Sequence, residues 1–274
     1  KLSGSYYTPH RTIQFMKDYL IKEHKLYGKV LEPSAGDGRI IDILETEEKI
    51  EKIVAVEISD EKVDQLKRKG YSEKVEIIAN DFLNFVNFID EKYQLIIGNP
   101  PYISLINMED DLKKKAKKIC EKFQLPGSLM KNMWVAFVLA GVECLTKDGT
   151  LFFVLPMEFL QVLYAERIRL FLEERFNTIH ILSFKERMFP EIEQESCLVY
   201  LTNQSEKKSY INFKIYRELD SEVPYYCSQI QRNKPLKKWT NAILSDEDID
   251  LLNMIDAKYK QVGEMCDASP GIVT

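Results

Sequence analysis

The sequence lacks the features that mark membrane, disulfide-bonded or metal-dependent proteins. Its longest apolar run, residues 134–145, is shorter than a bilayer-spanning helix and contains Glu143, so we expect no membrane anchoring. Five cysteines and three histidines are scattered over 274 residues. No Cys-x-x-Cys pair occurs, so the sequence gives no sign of a disulfide framework or of a zinc site. We therefore expect a protein of the reducing cytoplasm that binds no metal.

An excess of positive charge is also absent. The chain holds 38 lysines and arginines against 43 acidic residues, for a net charge of −5. This balance argues against a protein that coats nucleic acid, although a local basic patch would serve an enzyme that acts on it. The densest basic run, residues 113–118, is either the solvated face of a helix or a group that touches phosphates. We favour the solvated face, because three acidic residues at 109–111 precede the run.

Short apolar or β-branched runs alternate with amphipathic segments along most of the chain. The expected strands are residues 29–31, 52–56, 75–78, 94–97, 150–155, 178–184, 197–202 and 211–216. The expected helices lie near residues 11–22, 39–46, 60–69, 110–122, 131–145 and 159–176. This alternation predicts a doubly wound α/β fold with a parallel sheet. From about Lys207 the pattern changes, which predicts that a second unit begins there.

Residues 96–102 read Ile-Ile-Gly-Asn-Pro-Pro-Tyr, an apolar strand that runs into a rigid polar tip. The two prolines fix φ and remove two backbone donors, so the carbonyl groups around them can accept from a ligand. Asn99 adds a side-chain carbonyl, and Tyr102 adds a flat ring. Such a tip can hold a planar NH2 group by both hydrogens and stack on the ring that carries it. A strand that ends in an Asn-Pro turn is, however, also a common structural feature.

A second motif, residues 30–38, reads Val-Leu-Glu-Pro-Ser-Ala-Gly-Asp-Gly and joins a strand to a helix through a turn of small residues. Gly36 and Gly38 allow the backbone to approach a ligand closely. The motif is neither Gly-x-Gly-x-x-Gly nor a P-loop. Glu32 at the strand tip would repel a pyrophosphate but suit a cationic amine. The motif therefore favours a ligand with an ammonium or sulfonium charge over a dinucleotide.

Two further strand tips carry acidic residues. Glu57 ends the second strand about 20 residues after the glycine turn, which is the spacing of an acid that binds ribose hydroxyls. Asp81 and Phe82 follow the third strand and could accept from an adenine amine and cover its ring. Ligands of open α/β sheets bind at the carboxyl ends of the strands. Together with Glu32, these residues describe a pocket for S-adenosylmethionine.

The order of these motifs resembles that of the amino-methyltransferases, and most closely the gamma-type DNA adenine-N6 methyltransferases of restriction–modification systems. In that subgroup a Thr-Pro motif precedes the cofactor loop, as Thr8-Pro9 does here. The cofactor loop, the acidic tips and the Asn-Pro-Pro-Tyr tip then follow in the family's order. Residues 157–160, Met-Glu-Phe-Leu, are similar to the sixth motif, and Phe189-Pro190 looks like the aromatic motif on the far side of the target base. The resemblance covers about residues 5–203.

This resemblance implies a Rossmann-like methyltransferase fold with a mostly parallel seven-stranded sheet, one antiparallel strand and helices on both faces. It implies that residues 1–206 form an S-adenosylmethionine-binding catalytic domain, and that residues 207–274 form a linker and the start of a truncated target recognition domain. The implied cofactor-binding residues are Tyr7, Thr8, Glu32, Pro33, Ala35, Gly36, Glu57, Ile58, Asp81, Phe82 and Asn99. The implied catalytic residues are Asn99, Pro100, Pro101, Tyr102 and Phe189.

The implied activity is methylation of N6 of a flipped-out adenine in double-stranded DNA. The implied protein is a monomer, accompanied by a cognate restriction endonuclease activity or subunit. Asn-Pro-Pro-Tyr also occurs in enzymes that methylate guanine N2 in ribosomal RNA or a protein glutamine amide, which present the same planar NH2 group. The early Thr-Pro motif, Phe189 and the C-terminal extension favour adenine in DNA. A specificity subunit that binds DNA without catalysis is a further alternative, which the complete tip and cofactor acids disfavour.

Overall fold

The computed structural model describes residues 7–191, 195–203, 209–231, 236, 238–260 and 262–266. Within these residues, nine strands form a single sheet. The strands are β1 (Gly28–Glu32), β2 (Ile50–Glu57), β3 (Val75–Ala79), β4 (Tyr93–Gly98), β5 (Leu145–Pro156), β6 (Thr178–Phe184), β7 (Ser196–Thr202), β8 (Tyr210–Tyr216) and β9 (Tyr226–Gln231).

The strands follow the spatial order β3-β2-β1-β4-β5-β7-β6-β8-β9. Strands β1 to β5 pair in parallel, whereas β7 runs antiparallel to both of its neighbours, β5 and β6. The predicted fold class is thereby confirmed in its seven-stranded core. At one edge the sheet continues through β8, parallel to β6, and β9, antiparallel to β8. The described sheet thus has nine strands, of which two run antiparallel to the rest.

Helices connect the strands and cover both faces of the sheet. In the described part of the chain they are α1 (His10–Lys22), α2 (Arg39–Leu44), α3 (Asp60–Arg68), α4 (Phe82–Phe85), α5 (Asp110–Lys122), α6 (Met133–Cys144), α7 (Glu166–Arg175), α8 (Asp246–Lys258) and α9 (Val262–Met265). None of these helices combines the length and the apolarity that crossing a lipid bilayer requires.

The sheet separates two apolar cores. Leu31 of β1 and its partner Ile96 of β4 face the core shared with α5 and α6, while their neighbours Val30 and Leu95 face the core shared with α1 and α2. Successive side chains of a strand point to opposite faces, so strands covered on both sides need an apolar residue at nearly every position. Because β1 to β4 pair in parallel, their carboxyl ends lie at one edge of the sheet.

One predicted helix, residues 159–176, is wrong in its first half. Two short 3₁₀ turns occupy the segment before α7, which begins only at Glu166. The guanidinium of buried Arg169 donates to the carbonyl oxygens of Phe159 (2.7 Å) and Val162 (3.1 Å). In a continuous helix those two oxygens would accept from the helix's own N–H groups. The buried arginine therefore satisfies these oxygens in this segment, together with the N–H of Ala165, which donates to the Val162 oxygen at 3.2 Å.

β8, β9 and Trp239, which follow β7 in the chain, belong to the same sheet and core. β8 pairs with β6, and Trp239 is fully buried against Phe159, with ring centroids 5.2 Å apart. The indole N–H of Trp239 donates to Glu173 Oε1 at 2.7 Å. The predicted boundary between residues 206 and 207 lies outside the described residues. The division into two domains stays a prediction, and the structure adds that segments after it share the sheet and the core.

Candidate active site

The carboxyl ends of β1 to β4 open on one cavity of about 310 Å³. The predicted site residues that line it are Tyr7, Pro33, Gly36, Glu57, Ile58, Asp81, Phe82, Asn99, Pro100, Pro101, Tyr102 and Phe189. The other three, Thr8, Glu32 and Ala35, line an adjoining cavity of about 40 Å³ that shares Tyr7 and Gly36 with the first. The structure thus brings every predicted site residue to one edge of the sheet. Their chemical roles stay predictions.

The Asn-Pro-Pro-Tyr tip lies directly against the loop that follows β1. A Cβ atom on Gly98 would come within 3.3 Å of Pro33 Cδ, so glycine at the end of β4 permits this close approach. The hydroxyl of Ser34 donates to the backbone carbonyl of Asn99 at 3.1 Å. These contacts hold the tip beside the cofactor loop, so that a group bound at one can reach a group bound at the other.

The loop after β1 is shaped by two glycines and by Glu57. Gly36 and Gly38 have φ angles of 58° and 84°, in the left-handed region that favours glycine. The N–H of Gly36 donates to Glu57 Oε2 at 2.8 Å, and the N–H of Ser59 donates to Oε1 at 2.9 Å. Both carboxylate oxygens are therefore held in place at the end of β2. Each oxygen keeps a second lone pair, which a hydroxyl in the cavity could use.

Glu32 is a buried carboxyl whose charge is not balanced nearby. The side chain is 2% exposed, and its Oε2 atom has no hydrogen-bond partner. Burial, together with the nearby carboxylates of Asp37 and Glu57, raises the pKa of Glu32 well above its usual value. A cation that entered the adjoining cavity would favour the ionised form and satisfy the unpartnered oxygen. The site therefore suits a ligand that carries an ammonium group.

Asp81 connects the third strand tip to α5. Its Oδ1 atom accepts from the N–H of Leu83 at 3.0 Å and caps α4. Its Oδ2 atom pairs with Lys115 Nζ at 3.1 Å, and the same ammonium pairs with Asp111 at 2.7 Å. Lys115 thus holds the first turns of α5 against the cavity wall.

The basic run at residues 113–118 lies on α5. Lys114, Lys117 and Lys118 are exposed, as expected for the solvated face of a helix. Lys115 is half-buried and its ammonium also contacts Asp81 at the site, a contact that neither interpretation of the run included. The alternation of charges along the run could not reveal this contact, since Asp81 is 34 residues away in sequence.

Aromatic side chains enclose the cavity. Phe82 is buried and packs on Phe137 with ring centroids 5.0 Å apart. Tyr102 lines the cavity, and burial of its hydroxyl raises its pKa. Phe189 is also buried and lines the same cavity. Tyr102 therefore stays neutral at ordinary pH. The aromatic side chains offer apolar surfaces on which a planar ring of a ligand could stack.

Several lining residues were not predicted from the sequence. They are Ser34, Lys62, Asn80, Ile103, Leu112, Met133 and Phe137. Ser34 and Asn80 lie within or beside the predicted motifs and could have been found from them. Phe137 has the helical spacing of a core residue, and the structure shows that it serves both the core and the cavity. In the described residues no three histidine, cysteine or acidic side chains come together as candidate metal ligands.

Comparison with known proteins places this site in a family. The sequence profile of the Eco57I restriction-modification methylase family matches residues 17–189. The type II restriction enzyme and methyltransferase RM.Eco57I from Escherichia coli is 24% identical over 201 residues, which cover 68% of this chain and 19% of that protein. The type II methyltransferase M.HincII from Haemophilus influenzae is 24% identical over 233 residues, which cover 83% of this chain and 42% of that protein.

The fold comparison agrees with the sequence comparison. A type I restriction-modification methyltransferase subunit from Streptococcus thermophilus superimposes with a TM-score of 0.60 at 15% identity, over 95% of this chain and 55% of that one. This likeness shows the fold alone, which is that of S-adenosylmethionine-dependent methyltransferases. The present chain spans about a fifth to two fifths of the length of the two curated relatives.

Proposed function

The chain belongs to the Eco57I restriction-modification methylase family, and on that premise we propose that it transfers a methyl group from S-adenosylmethionine to N6 of a flipped-out adenine in duplex DNA. One observation carries the proposal. A single cavity joins Glu57 and Asp81, which suit the cofactor, to Asn99 and Tyr102, which suit an amine on a planar ring.

The residues present fit the cofactor. The unpartnered oxygen of Glu32 suits its ammonium group, and the fixed carboxylate of Glu57 suits its ribose hydroxyls. Ile58 and Phe82 offer apolar surface for its adenine, beside the carboxylate of Asp81. By the family resemblance, Tyr7, Thr8, Pro33, Ala35 and Gly36 enclose the methionine end. When bound, S-adenosylmethionine supplies an electrophilic methyl group on a sulfonium sulfur.

The tip of β4 activates the target amine. The lone pair of an exocyclic adenine amine is delocalised into the ring, so the nitrogen is a poor nucleophile. Asn99 Oδ1 and the carbonyl oxygen of Pro100 accept its two hydrogens and turn the nitrogen towards tetrahedral geometry. The lone pair then points at the cofactor side of the cavity. Pro101 keeps the tip rigid. Positioning and fixed dipoles, rather than a covalent intermediate, lower the barrier.

A base inside a duplex cannot reach this cavity, because its amine is paired and stacked. The target nucleotide therefore has to rotate out of the helix. Tyr102 and Phe189, which both line the cavity, are the residues that stack on the extruded base. Stacking of a base on an aromatic side chain contributes about 1–3 kcal/mol, which offsets part of the cost of unpairing.

The cofactor assignment predicts which adenosyl ligands bind. The folded protein should bind S-adenosylmethionine and S-adenosylhomocysteine but not NAD, because Glu32 at the end of β1 would repel a pyrophosphate and the Gly-x-Gly-x-x-Gly motif is absent. Isothermal titration calorimetry of the three ligands tests this expectation. Folded protein that binds neither adenosyl ligand would exclude the cofactor and, with it, the proposed activity.

Glu57→Ala should weaken S-adenosylmethionine binding by roughly 1–3 kcal/mol, since it removes a buried acceptor for the ribose hydroxyls. The same substitution leaves the N–H groups of Gly36 and Ser59 without their acceptor. The thermal stability of the variant should therefore be measured alongside the titration. Asp64→Ala, at an exposed position on α3, is the matched control and should bind the cofactor as the wild type does. Unchanged affinity in Glu57→Ala would assign the ribose to other residues.

The substrate class can be tested by offering competing amines. Duplex DNA, ribosomal RNA and a glutamine-containing protein fraction are incubated with the protein and S-adenosylmethionine that carries a labelled methyl group. We expect the label in DNA, as N6-methyladenine after digestion to nucleosides. Label in guanine of ribosomal RNA or in protein would favour the rival methyltransferases. Cofactor binding without transfer to any substrate would favour a specificity subunit.

The same premise extends to the setting of the enzyme. We propose a cytoplasmic monomer that acts beside a restriction endonuclease, carried either on the same polypeptide or on a separate subunit. The relative RM.Eco57I, named as both restriction enzyme and methyltransferase, supports the first arrangement. The proposed division assigns residues 1–206 to catalysis and residues 207–274 to a linker and the start of a target recognition domain.

A further inference from the structure

Two strand ends beside the active site carry exposed cations. β6 and β8 run parallel and in register as far as Phe184 and Tyr216, so the residues after them emerge together at the carboxyl edge of the sheet. Lys185, Arg187 and Arg217 follow these ends, and all three are exposed. The N–H of Lys185 donates to the carbonyl of Tyr216 at 2.9 Å, which ties the two segments together.

The ring of Tyr225 holds two of these cations in place. Lys185 Nζ lies 3.7 Å from the ring centroid, and Arg217 Cζ lies 4.3 Å from it. Tyr225 is 54% exposed. Contact with an aromatic face stabilises a cation at an exposed site. Two like charges beside one ring still repel each other, and an anion that bound between them would relieve this repulsion.

Acidic side chains also lie near this group: Glu218 follows Arg217 and is exposed, whereas Glu186 is engaged elsewhere. Glu186 accepts from the N–H of Leu219 and pairs with Arg11 at 3.2 Å, so its charge is already engaged. A concavity of about 100 Å³ lies between the cations and the active site, and Lys185, Arg187 and Phe189 are among its lining residues. The acidic Glu195 lies on its wall as well. Lys185 and Arg187 therefore border a small open space that Phe189 also lines.

We propose that Lys185, Arg187 and Arg217, with Tyr225, form a basic surface that binds the backbone phosphates next to the extruded base. The proposal rests on the proposed function, in which Phe189 stacks on that base. Phe189 lines both the main cavity and the small concavity, so the basic surface adjoins the base pocket. An extruded nucleotide stays joined to its two phosphates, which must then lie at the mouth of the pocket.

The chemistry of the surface matches phosphate. The guanidinium of arginine presents a planar fork of donors that binds two phosphate oxygens at once, and lysine adds a compact charge. The whole chain carries a net charge of −5, so attraction to a polyanion has to come from a local cluster. Phosphate contacts position a nucleic acid without reading its sequence. The surface should therefore contribute equally to binding of all duplexes.

The test compares two variants with the same change in net charge. The surface variant carries Lys185→Gln, Arg187→Gln and Arg217→Gln. The control variant carries Lys49→Gln, Arg68→Gln and Lys147→Gln, all at exposed positions near the opposite, amino edge of the sheet. Fluorescence anisotropy measures the Kd for two unrelated duplexes over a range of salt concentrations. Thermal unfolding and S-adenosylmethionine binding establish that each variant is folded.

The surface variant should bind both duplexes roughly 10- to 100-fold more weakly at physiological salt. The slope of log Kd against log salt should fall by about 0.9 for each phosphate that the variant no longer neutralises. If the surface variant does not fold, Arg187→Glu alone should still reduce the slope. Equal losses of affinity in the surface and control variants would overturn the basic surface and leave the proposed function intact. A wild-type protein that binds no nucleic acid and methylates none would instead overturn the proposed function.

Discussion

Asn99→Ala should lower the rate of methyl transfer about 100- to 1000-fold, which is the usual effect of removing one preorganised hydrogen-bonding group that acts in the transition state. S-adenosylmethionine affinity should stay nearly unchanged, because the side-chain oxygen of Asn99 serves the amine of the target base. Single-turnover kinetics at saturating DNA and cofactor, together with calorimetry, separate the two effects.

Asn107→Ala is the matched control for this experiment. Asn107 is exposed on the short 3₁₀ turn that follows the tip, so its removal changes the same segment without reaching the cavity. It should keep the wild-type rate. If Asn99→Ala retained more than about a tenth of wild-type turnover, less than 1.4 kcal/mol of the barrier would depend on that contact. The proposed activation of the amine would then be wrong.

Glu32→Gln should weaken S-adenosylmethionine binding about 10- to 100-fold, because it replaces a charge-assisted hydrogen bond of roughly 1.5–3 kcal/mol with a neutral one. The same substitution should raise the thermal stability of the unliganded protein. Burial raises the pKa of Glu32 in the folded state, so the unfolded chain releases this proton at a lower pH. As the pH rises from the pKa of Glu32 in the unfolded chain to its higher pKa in the folded protein, the wild type therefore loses stability. The variant has no such group and does not lose stability in this way.

The pH dependence of Glu32→Gln gives this prediction its sharpest test. A ligand cation needs the ionised carboxylate, so wild-type affinity should rise with pH until Glu32 is ionised, whereas the affinity of the variant should not follow this rise. The Tm difference between variant and wild type should widen over the same range. Glu48→Gln, at an exposed position in the same connection between β1 and β2, should change neither quantity. Equal affinity of the wild type and Glu32→Gln for S-adenosylmethionine would mean that the ammonium group of the cofactor does not bind at Glu32.

The location of the candidate site residues was largely predictable because these residues lie at strand ends. A buried parallel strand needs a continuous apolar run, so the polar residue that stops the run also marks the carboxyl edge of the sheet. Glu32, Glu57 and Asn99 each end such a run. Parallel strands then bring these residues together, although they are distant in sequence. β9 was missed because its residues alternate between exposed and half-buried positions and form no apolar run.

What the sequence could not reveal are contacts between distant side chains. The pairing of Lys115 with Asp81 joins residues 34 apart, and neither residue type indicates the other. The break before α7 depends on a guanidinium that reaches back into the core. Along the sequence, Arg169 looks like any helical arginine with an exposed head. Such contacts follow from packing in three dimensions, which local periodicity does not encode.

Base-resolved modification mapping of DNA from cells that express the protein tests the central claim most directly. The account predicts N6-methyladenine at one recurrent sequence, in every cell line that carries the wild type and in none that carries Asn99→Ala at equal protein level. Modification of cytosine or guanine instead, or N6-methyladenine that persists with Asn99→Ala, would contradict it.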